Sequence, residues 1–359
     1  MLKGSESRFK APFLSSWASI SRNRVFVRPI CAYEKGRIAR AAIRALAYNG
    51  AMDTSHNTLT PMMALNLAAP HTWPAAIMPT LVAVAAAANT CPISVSMCIA
   101  LLVIVVLMQS SVNTFNDYYD YVKGTDSAED NVEESDAVLV YNNIDPKDAL
   151  RLAVGFLLAA FVLGIYAIVR AGIVPLVIAL IGALFVVLYS AGKSPISYLP
   201  LGELVSGIVM GGLIPLAVYQ VLTGILDARM FVLSLPTIIG VGLIMLTNNT
   251  CDIERDIAAN RKTLPVVLGR DRARALYHAA LVAWALICIA NIAIWYSKGL
   301  VIVPFMALAS YPIVRALWQN PLTPERRLQA MPQALSVNVV LGAFYAAALF
   351  VPAATSLVL

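Results

Sequence analysis

Nine long apolar runs, each of bilayer-spanning length, dominate this sequence between residues 73 and 355. An apolar run of about 17 to 25 residues is long enough to cross the hydrocarbon core of a bilayer as a helix. The runs lie near 73–89, 93–115, 150–170, 172–190, 204–223, 230–250, 275–296, 299–318 and 335–355. With 59% hydrophobic and 13% charged residues, a soluble domain would be covered in exposed hydrocarbon. The sequence therefore predicts an integral membrane protein.

The runs show no alternation of polar and apolar residues, which a transmembrane β-barrel would require. Only helices and closed barrels satisfy their backbone hydrogen bonds inside a bilayer. We therefore predict an all-α, polytopic membrane protein with about nine transmembrane helices. The first of these helices is the least regular, because Pro74 and Pro79 interrupt it.

Two polar clusters, Asn113 to Asp120 and Asn248 to Asp256, stand at the ends of two of the apolar runs. Carboxylates and carboxamides at the ends of membrane helices are costly unless they bind something. A single Asn–Asp pair at a helix end is commonly a cap or a turn. Two such clusters on the same side of the membrane instead predict a functional site.

The basic residues after residue 90 predict how the chain is oriented. Bases concentrate in cytoplasmic loops. If both clusters face the cytoplasm, thirteen bases lie inside and only Arg170, Arg229 and Lys298 lie outside. The thirteen are Lys123, Lys147, Arg151, Lys193, Arg255, Arg261, Lys262, Arg270, Arg272, Arg274, Arg315, Arg326 and Arg327. We therefore expect a multi-pass protein of the inner (cytoplasmic) membrane, with the N-terminus and both clusters cytoplasmic and the C-terminus outside.

Residues 1–60 form a basic N-terminal extension, and residues 61–359 form the transmembrane domain. The extension holds ten Lys or Arg against Glu6, Glu34 and Asp53, and it has no long apolar run. It is a basic arm on anionic lipid, a transit-like peptide, or sequence upstream of a true start at Met52. The net charge of +6 comes largely from this segment.

The spacing within the clusters favours a divalent metal. On a helix, Asn116 and Asp120 share one face, as do Asn248, Asp252 and Asp256. Oxygen ligands of this kind, together with water and phosphate oxygens, are those that Mg²⁺ prefers. Bases near the clusters would complete an anion site: Lys193, Arg261 and Lys262. The sequence predicts a metal–diphosphate pocket at the membrane surface, with apolar helices behind it for a lipid tail.

Three separated segments resemble the UbiA superfamily of intramembrane aromatic prenyltransferases. They are NDYYDYVKGTD at 116–126, LGELVSGIVMGGLIPLAVYQVLTG at 201–224 and NNTCDIERDIAANRKTLPVVLGR at 248–270. They are most similar to the 1,4-dihydroxy-2-naphthoate branch, the MenA-type enzymes of menaquinone synthesis. The resemblance implies helices around a central cavity, and transfer of a polyprenyl group from its diphosphate to the naphthoate ring with loss of CO₂ and diphosphate. Residues 61–359 would be the prenyltransferase domain.

The resemblance also implies a role for each candidate residue. Asp120, Asp252, Tyr189 and Lys193 would be catalytic. The Mg²⁺ ligands would be Asn116, Asp117, Asp120, Asn248, Asp252 and Asp256. Lys123, Lys193, Arg261 and Lys262 would bind diphosphate, and Asn116, Tyr189, His71 and Asn249 would contact the substrates. The implied partners are a polyprenyl diphosphate, an aromatic acid and the bilayer, with no nucleic acid.

One segment departs from the family pattern. Before the first helix, a motif resembling Arg-Pro-Lys-Thr-Leu-Pro is usual, whereas this chain has Ala69-Pro70-His71-Thr72-Trp73-Pro74. A cation that would contact the aromatic acid is therefore missing or replaced by His71. The acceptor is less firmly indicated than the reaction, and 4-hydroxybenzoate is the alternative.

Two other classes of protein carry acidic residues in membrane helices. A cation-coupled transporter would tend to place them near the bilayer midplane rather than at helix ends. A CDP-alcohol phosphotransferase would carry one acidic signature, whereas this chain has two separated clusters.

Overall fold

In the computed structural model, helices account for most of the residues that it describes, which are 56–123, 138–192 and 195–354. The helices are α1 Pro61–Ala68, α2 Pro74–Ala88, α3 Val95–Lys123, α4 Val138–Asn142, α5 Pro146–Ala171, α6 Ile173–Ser190, α7 Gly202–Thr223, α8 Arg229–Leu233, α9 Leu235–Cys251, α10 Ile253–Ala258, α11 Leu264–Leu268, α12 Arg270–Trp295, α13 Val303–Gln319 and α14 Arg327–Ala354. The predicted extension lies almost wholly outside the described residues, so it stays a prediction.

Seven helices in the described ranges are long and apolar enough to cross a bilayer. They are α3, α5, α6, α7 and α12, with α13 and α14 each taken together with the short 3₁₀ turn before it. Helices α1 and α2 make an eighth span if this pair, bent by 55°, counts as one, and α9 is apolar but has only 17 residues. The all-α membrane fold is confirmed, and the predicted number of nine helices is approximate.

The bend between α1 and α2 places polar groups next to the middle of α3. Ala69 ends α1 in the left-handed conformation, with φ at 48°, and Pro70 and Pro74 begin the next two elements. Proline has no N–H to continue a helix, so the chain changes direction here. The turn brings Thr72 to α3, where its hydroxyl accepts a hydrogen bond from Asn113 at 2.8 Å.

Helices α7 and α9 lie close together because glycines of α7 face the backbone of α9. Gly207 and Gly211 lie in a π-helical segment, Gly207–Leu213, and a Cβ atom on Gly211 would stand 2.5 Å from Cα of Ile238. The Thr237 hydroxyl adds a hydrogen bond to the carbonyl of Gly211 at 2.6 Å. Small residues that let backbones approach are typical of membrane helix packing. This contact fixes the N-terminal half of α7 beside α9.

The main apolar core lies among α9, α12 and α14, where Tyr277, Trp284 and Tyr345 are buried. Helices α5 and α6 instead expose large apolar side chains such as Leu158, Phe161 and Leu180. Exposed apolar faces of this extent suit contact with lipid rather than with water. Helix α3 packs along α5, so the helix that carries the first cluster stands between the lipid-facing helices and the interior.

Candidate active site

A cavity of ≈ 280 Å³ lies between the C-terminal ends of α3 and α9. Both predicted polar clusters reach it. Its polar lining comprises Thr72, Gln109, Asn113, Asn116, Asp117, Asp120, Tyr189, Ser206, Asn248, Asn249, Asp252, Arg255, Arg261 and Arg327. Its apolar lining comes mainly from α6, α7 and α9 and includes Phe185, Val186, Val205, Val209, Met210, Val241, Ile244 and Met245. One chamber thus joins a charged end to a hydrocarbon-like end.

The first cluster forms because α3 continues as a helix through Lys123. As the spacing predicts, Asn116 and Asp120 share a face, and the Asn116 amide donates to Oδ2 of Asp120 at 3.0 Å. The Ser190 hydroxyl donates to Oδ1 of Asn116 at 3.1 Å, which ties the end of α6 to this face. Asp117 also lines the cavity, and its Oδ2 accepts from the backbone N–H of Val138 at 3.2 Å.

The second cluster lies where α9 ends and α10 begins. Asp252 has φ −97° and ψ 15°, outside helical geometry, yet its N–H still bonds to the carbonyl of Asn248 at 3.0 Å. Asp252, Asn248 and Asn249 all line the cavity. The two motifs that stand far apart in sequence are therefore brought together, as the sequence predicts.

An arginine at the start of α14 binds the second cluster. Nε of Arg327 lies 3.1 Å from Oδ1 of Asp252, and its Nη2 donates to Oδ1 of Asn248 at 2.9 Å. Arg255 adds a weaker contact, with Nη1 at 3.8 Å from Oδ2 of Asp252. From the sequence, Arg327 and Arg255 are predicted only as cytoplasmic bases that orient the chain. Arg327 could not be singled out from the sequence, because it stands 75 positions from Asp252 and meets it only in the folded chain. Arg255 was within reach of the spacing argument, because it follows Asp252 by three positions.

Asp256 lies behind the cavity wall rather than among the residues that line it. Its side chain is buried, its Oδ2 accepts from the Thr263 hydroxyl at 2.9 Å, and its Oδ1 lies 3.5 Å from Nε of Arg261. Burial raises the pKa of Asp256 to about 6, although Arg261 and the Thr263 hydroxyl act in the opposite direction. Arg261 is the nearby cation that favours the charged form of this carboxyl group.

The predicted diphosphate-binding bases take different positions. Arg261 lines the cavity, whereas Lys123 lies at the end of α3 and donates to the carbonyl of Ser190 at 2.7 Å. Lys262 is exposed, and its backbone N–H bonds to the carbonyl of Tyr198 at 2.9 Å. Lys193 lies outside the described residues, so its predicted roles stay predictions.

A buried acid of α7, Glu203, stands beside the second cluster. Oε1 of Glu203 accepts from the amide of Asn249 at 2.8 Å, and both side chains are buried. Because that amide nitrogen is engaged with Glu203, the amide oxygen of Asn249 is the group available to a ligand in the cavity. Asn249 is among the residues predicted from the sequence, whereas Glu203 is not, although it falls within the segment 201–224 that resembles the family.

Of the predicted substrate contacts, Tyr189 lines the cavity and His71 does not. Tyr189 lies on the cavity wall, with its hydroxyl 3.9 Å from the sulfur of Met245. His71 is exposed and is not among the residues that line the cavity, whereas Ala69 and Thr72 of the same turn are. The structure therefore brings Tyr189 to the site and leaves His71 outside the cavity.

The donor set in this cavity suits Mg²⁺. Carboxylates and carboxamides from two helices face one space, and they are the hard oxygen donors that Mg²⁺ takes. In the described ranges, no three His, Cys, Asp or Glu side chains gather closely enough to hold an ion by themselves. Mg²⁺ is bound in many sites through one or two carboxylates together with water and substrate phosphates. The residues present fit that kind of site.

Comparison with known proteins gives consistent matches. Residues 76–338 match the UbiA prenyltransferase family. A 1,4-dihydroxy-2-naphthoate octaprenyltransferase of Bacillus subtilis is 32% identical over 278 residues, which cover 77% of this chain and 88% of that protein. UbiA prenyltransferase domain-containing protein 1 of Gallus gallus is 27% identical over 250 residues, covering 68% of this chain and 71% of that protein.

Solved structures share the fold. A UbiA homolog from Archaeoglobus fulgidus bound to GPP and Mg²⁺ superposes with a TM-score of 0.59 at 17% identity, covering 81% of this chain and 99% of that one. The apo structure of a UbiA homolog from Aeropyrum pernix K1 gives a TM-score of 0.58 at 16% identity, covering 77% and 97%. At this level of identity the likeness establishes a common fold.

Proposed function

The chain belongs to the UbiA prenyltransferase family, and from that premise we propose that it transfers a polyprenyl group to 1,4-dihydroxy-2-naphthoate. The polyprenyl diphosphate loses diphosphate when its carbon–oxygen bond breaks. A ring carbon of the acceptor forms the new carbon–carbon bond. The acceptor carboxylate leaves as CO₂ and its electron pair stays on the ring. The product would be demethylmenaquinol, a step of menaquinone synthesis.

One observation carries this proposal: the cavity is charged at one end and apolar at the other. At the charged end, Asp120 and Asp252 come from different helices, and Arg261 lines the same cavity. At the apolar end, Phe185 and Val209 offer a surface for an isoprenoid chain. A substrate with a diphosphate head and a hydrocarbon tail matches both ends.

The charged end would hold the donor's diphosphate through magnesium. Asn116, Asp117 and Asp120 on one side, and Asn248 and Asp252 on the other, are the side chains placed to bind it. Bound Mg²⁺ would neutralise charge on the diphosphate as the carbon–oxygen bond breaks. Asp256 lies behind the cavity wall, and its carboxylate would act by holding Arg261 in place.

Basic side chains would stabilise the departing diphosphate. Arg261 is the described base that both lines the cavity and was predicted to bind diphosphate. Lys123 stands near it, and Lys193 and Lys262 belong to the same proposed set. Charge-assisted hydrogen bonds from such groups to phosphate oxygens are stronger than neutral ones. These side chains would be in place before the bond breaks, which lowers the cost of separating charge.

The allylic cation needs protection from water until the ring attacks it. Apolar side chains line part of the cavity, with Val205, Val209 and Met245 among them, and these side chains offer no hydrogen bond to water. Tyr189 faces this part of the cavity, and an electron-rich ring attracts a cation. These side chains would let the carbon acceptor rather than water take the prenyl group.

The naphthoate acceptor is favoured by sequence similarity. The Bacillus subtilis relative is named for 1,4-dihydroxy-2-naphthoate and aligns over most of both chains. In the structure, Ala69 lines the cavity where the family's usual first motif would offer a base. The described arginines Arg255 and Arg327 line the same cavity and supply positive charge for an acid.

We also propose that the site opens to the cytoplasm. The ends of α3, α6 and α9 and the start of α14 meet at the cavity, so all four lie on one side of the membrane. The loops on that side carry thirteen of the sixteen bases after residue 90. The positive-inside rule then puts this side in the cytoplasm and the C-terminal end of α14 outside.

An assay of the purified full chain in detergent or vesicles tests the proposal. One prenyl diphosphate would be offered with a panel of aromatic acids, with and without Mg²⁺. We expect prenylated product and released CO₂ from 1,4-dihydroxy-2-naphthoate when Mg²⁺ is present. Product from 4-hydroxybenzoate alone would overturn the acceptor. Transport of an ion or solute by the vesicles, with no prenyl product from any acid, would overturn the reaction itself.

A further inference from the structure

The ring of Tyr198 lies close to two cations that come from different parts of the chain. Nζ of Lys123 lies 5.0 Å from the ring centroid, and Cζ of Arg261 also lies 5.0 Å from it. A cation within about 6 Å of an aromatic centroid is attracted by the electron-rich ring face. Lys123 ends the helix of the first acidic cluster, and Arg261 follows the second. One ring therefore links the basic groups of both halves of the site.

Bringing these two cations together is unfavourable without a partner between them. Because both contact the same ring, they lie within about 10 Å of each other. Arg261 is largely buried, with 14% of its side chain exposed, so water screens this repulsion weakly. Asp256 offsets part of the charge of Arg261 at 3.5 Å, and the carboxylate of Asp120 attracts both Lys123 and Arg261. The ring of Tyr198 adds to this attraction, because it contacts both cations at once.

The backbone around Tyr198 holds the ring in this place. Tyr198 ends a short 3₁₀ turn, Ile196–Tyr198, and its carbonyl accepts from the N–H of Lys262 at 2.9 Å. That hydrogen bond joins the turn to the segment that carries Arg261. On the other side, Lys123 is fixed by its hydrogen bond to the carbonyl of Ser190 at 2.7 Å. Tyr198 itself is not among the residues that line the cavity, whereas Arg261 is.

We propose that Tyr198 is a positioning residue that holds Lys123 and Arg261 together as a paired cationic grip for a diphosphate. This inference rests on the proposed function, because it assumes that a prenyl diphosphate is the ligand. The ring acts through the two bases and makes no contact with the reacting atoms. Its contribution should therefore affect the binding of diphosphate groups more than the steps that follow.

Substitutions at Tyr198 distinguish the contribution of the ring face from that of the hydroxyl group. With Tyr198→Leu we expect KM for the prenyl diphosphate and the inhibition constant of inorganic diphosphate to rise about tenfold, the size of one lost cation–π contact of moderate strength. KM for the aromatic acid should stay within about twofold of wild type. Tyr198→Phe keeps the ring and should restore both donor constants. Equal constants for wild type and Tyr198→Leu, or equal defects in Leu and Phe variants, would overturn the inference.

Tyr119 supplies a matched control. Its ring lies 5.5 Å from Nζ of Lys123, and it has no recorded contact with Arg261 in the described residues. Tyr119→Leu removes one ring from Lys123 and leaves the shared ring in place, so we expect inorganic diphosphate to inhibit it about as it inhibits wild type. If inorganic diphosphate inhibits Tyr119→Leu as weakly as it inhibits Tyr198→Leu, then losing any aromatic ring near Lys123 is enough to weaken diphosphate binding. That result would contradict a specific role for Tyr198.

A graded series keeps the test decisive if Tyr198→Leu fails to fold. Phenylalanine, difluorophenylalanine and pentafluorophenylalanine at position 198 have nearly the same shape but a progressively weaker negative ring face. We expect the inhibition constant of inorganic diphosphate to rise in that order. A flat series would overturn the inference. If wild-type protein makes no prenyl product and does not bind inorganic diphosphate, the proposed function fails instead.

Discussion

The guanidinium group of Arg327 lies 3.1 Å from Oδ1 of Asp252, so a residue near the C-terminal end of the chain contacts the second acidic cluster. Both side chains are nearly buried, with 8% and 12% exposed. The same guanidinium donates to Asn248, so it contacts two of the side chains proposed to bind Mg²⁺. Arg327 thus places a positive charge beside Asp252, as the proposed Mg²⁺ would.

This relationship predicts that Arg327→Gln destabilises the metal-free protein. Removing one partner of a buried ion pair costs about 3–5 kcal/mol, and we expect the lower end because Arg255 remains 3.8 Å from Asp252. Mg²⁺ would then replace part of the missing charge. Thermal unfolding in EDTA and in Mg²⁺ should show a lower midpoint and a larger Mg²⁺-induced rise than in wild type. An unchanged midpoint in EDTA would contradict this prediction.

The acids on the two cavity walls should be essential for turnover. Asp120→Asn and Asp252→Asn each remove a charge from the proposed metal site, and we expect turnover to fall by about 10²-fold or more. Asp120→Asn should insert and elute as folded protein, because asparagine has almost the same volume. Asp252→Asn also breaks the buried pair with Arg327, so its unfolding midpoint should fall as well, and its turnover is compared with that of Arg327→Gln, which loses the same pair but keeps the acid. The rate at saturating prenyl diphosphate, measured across a Mg²⁺ series, checks this.

Glu254→Gln is the matched control for those acids. Glu254 lies on α10 beside Asp252, but its carboxylate forms two hydrogen bonds of 2.8 Å with Arg270, away from the cavity lining. Its side chain is 59% exposed, so the pair contributes little to stability. Turnover should stay within about twofold of wild type, since an exposed pair is worth under about 1 kcal/mol. A large loss here would mean that charge anywhere near the cluster matters.

The contact between Glu203 and Asn249 predicts a difference between two substitutions of Glu203. Glu203→Gln keeps an oxygen that accepts from Asn249, whereas Glu203→Ala leaves the buried Asn249 amide without its partner. An unsatisfied buried group costs about 1–3 kcal/mol, so we expect KM for one of the two substrates to rise about tenfold in the Ala variant. The Gln variant should lie near wild type. Equal KM values for both substrates in the two variants would show that this hydrogen bond does not position Asn249.

The close approach of α7 to α9 predicts that Gly211 tolerates no side chain. In Gly211→Ala the new Cβ atom would lie 2.5 Å from Cα of Ile238, so the helices must separate, at a cost of about 1–3 kcal/mol. Gly155→Ala is the control, since nothing lies within 4 Å of its Cβ position. We expect a lower unfolding midpoint only for the Gly211 variant. Equal midpoints would show that α7 and α9 adjust freely.

Several features of the site were predictable from local sequence. Asn116 and Asp120 share a helix face because the period of a helix brings residues four apart together, and the structure shows the hydrogen bond between them. The two polar clusters were identified as halves of one site because charged groups at membrane helix ends need a ligand or a partner. The family was recognised from three short segments that contain these same residues.

Other features required the folded chain. Asp256 continues the four-residue spacing, but the helix break at Asp252 and the turn to Thr263 leave it behind the cavity wall. His71 stands in the segment where a base is usual, yet it is exposed and outside the cavity lining. Spacing predicts which face of a helix a side chain shares. It does not predict what closes over that face.

The sequence by itself determined that this protein lies in a membrane as helices, and it placed two acidic clusters at the ends of two of them, because apolar length and helical period are local properties. The tertiary structure alone decided which distant groups complete the site. Arg327 reaches Asp252, Glu203 reaches Asn249, and Tyr198 joins Lys123 to Arg261. These pairs are set by how α7, α9 and α14 pack, and packing depends on the shape of the whole bundle rather than on any one segment.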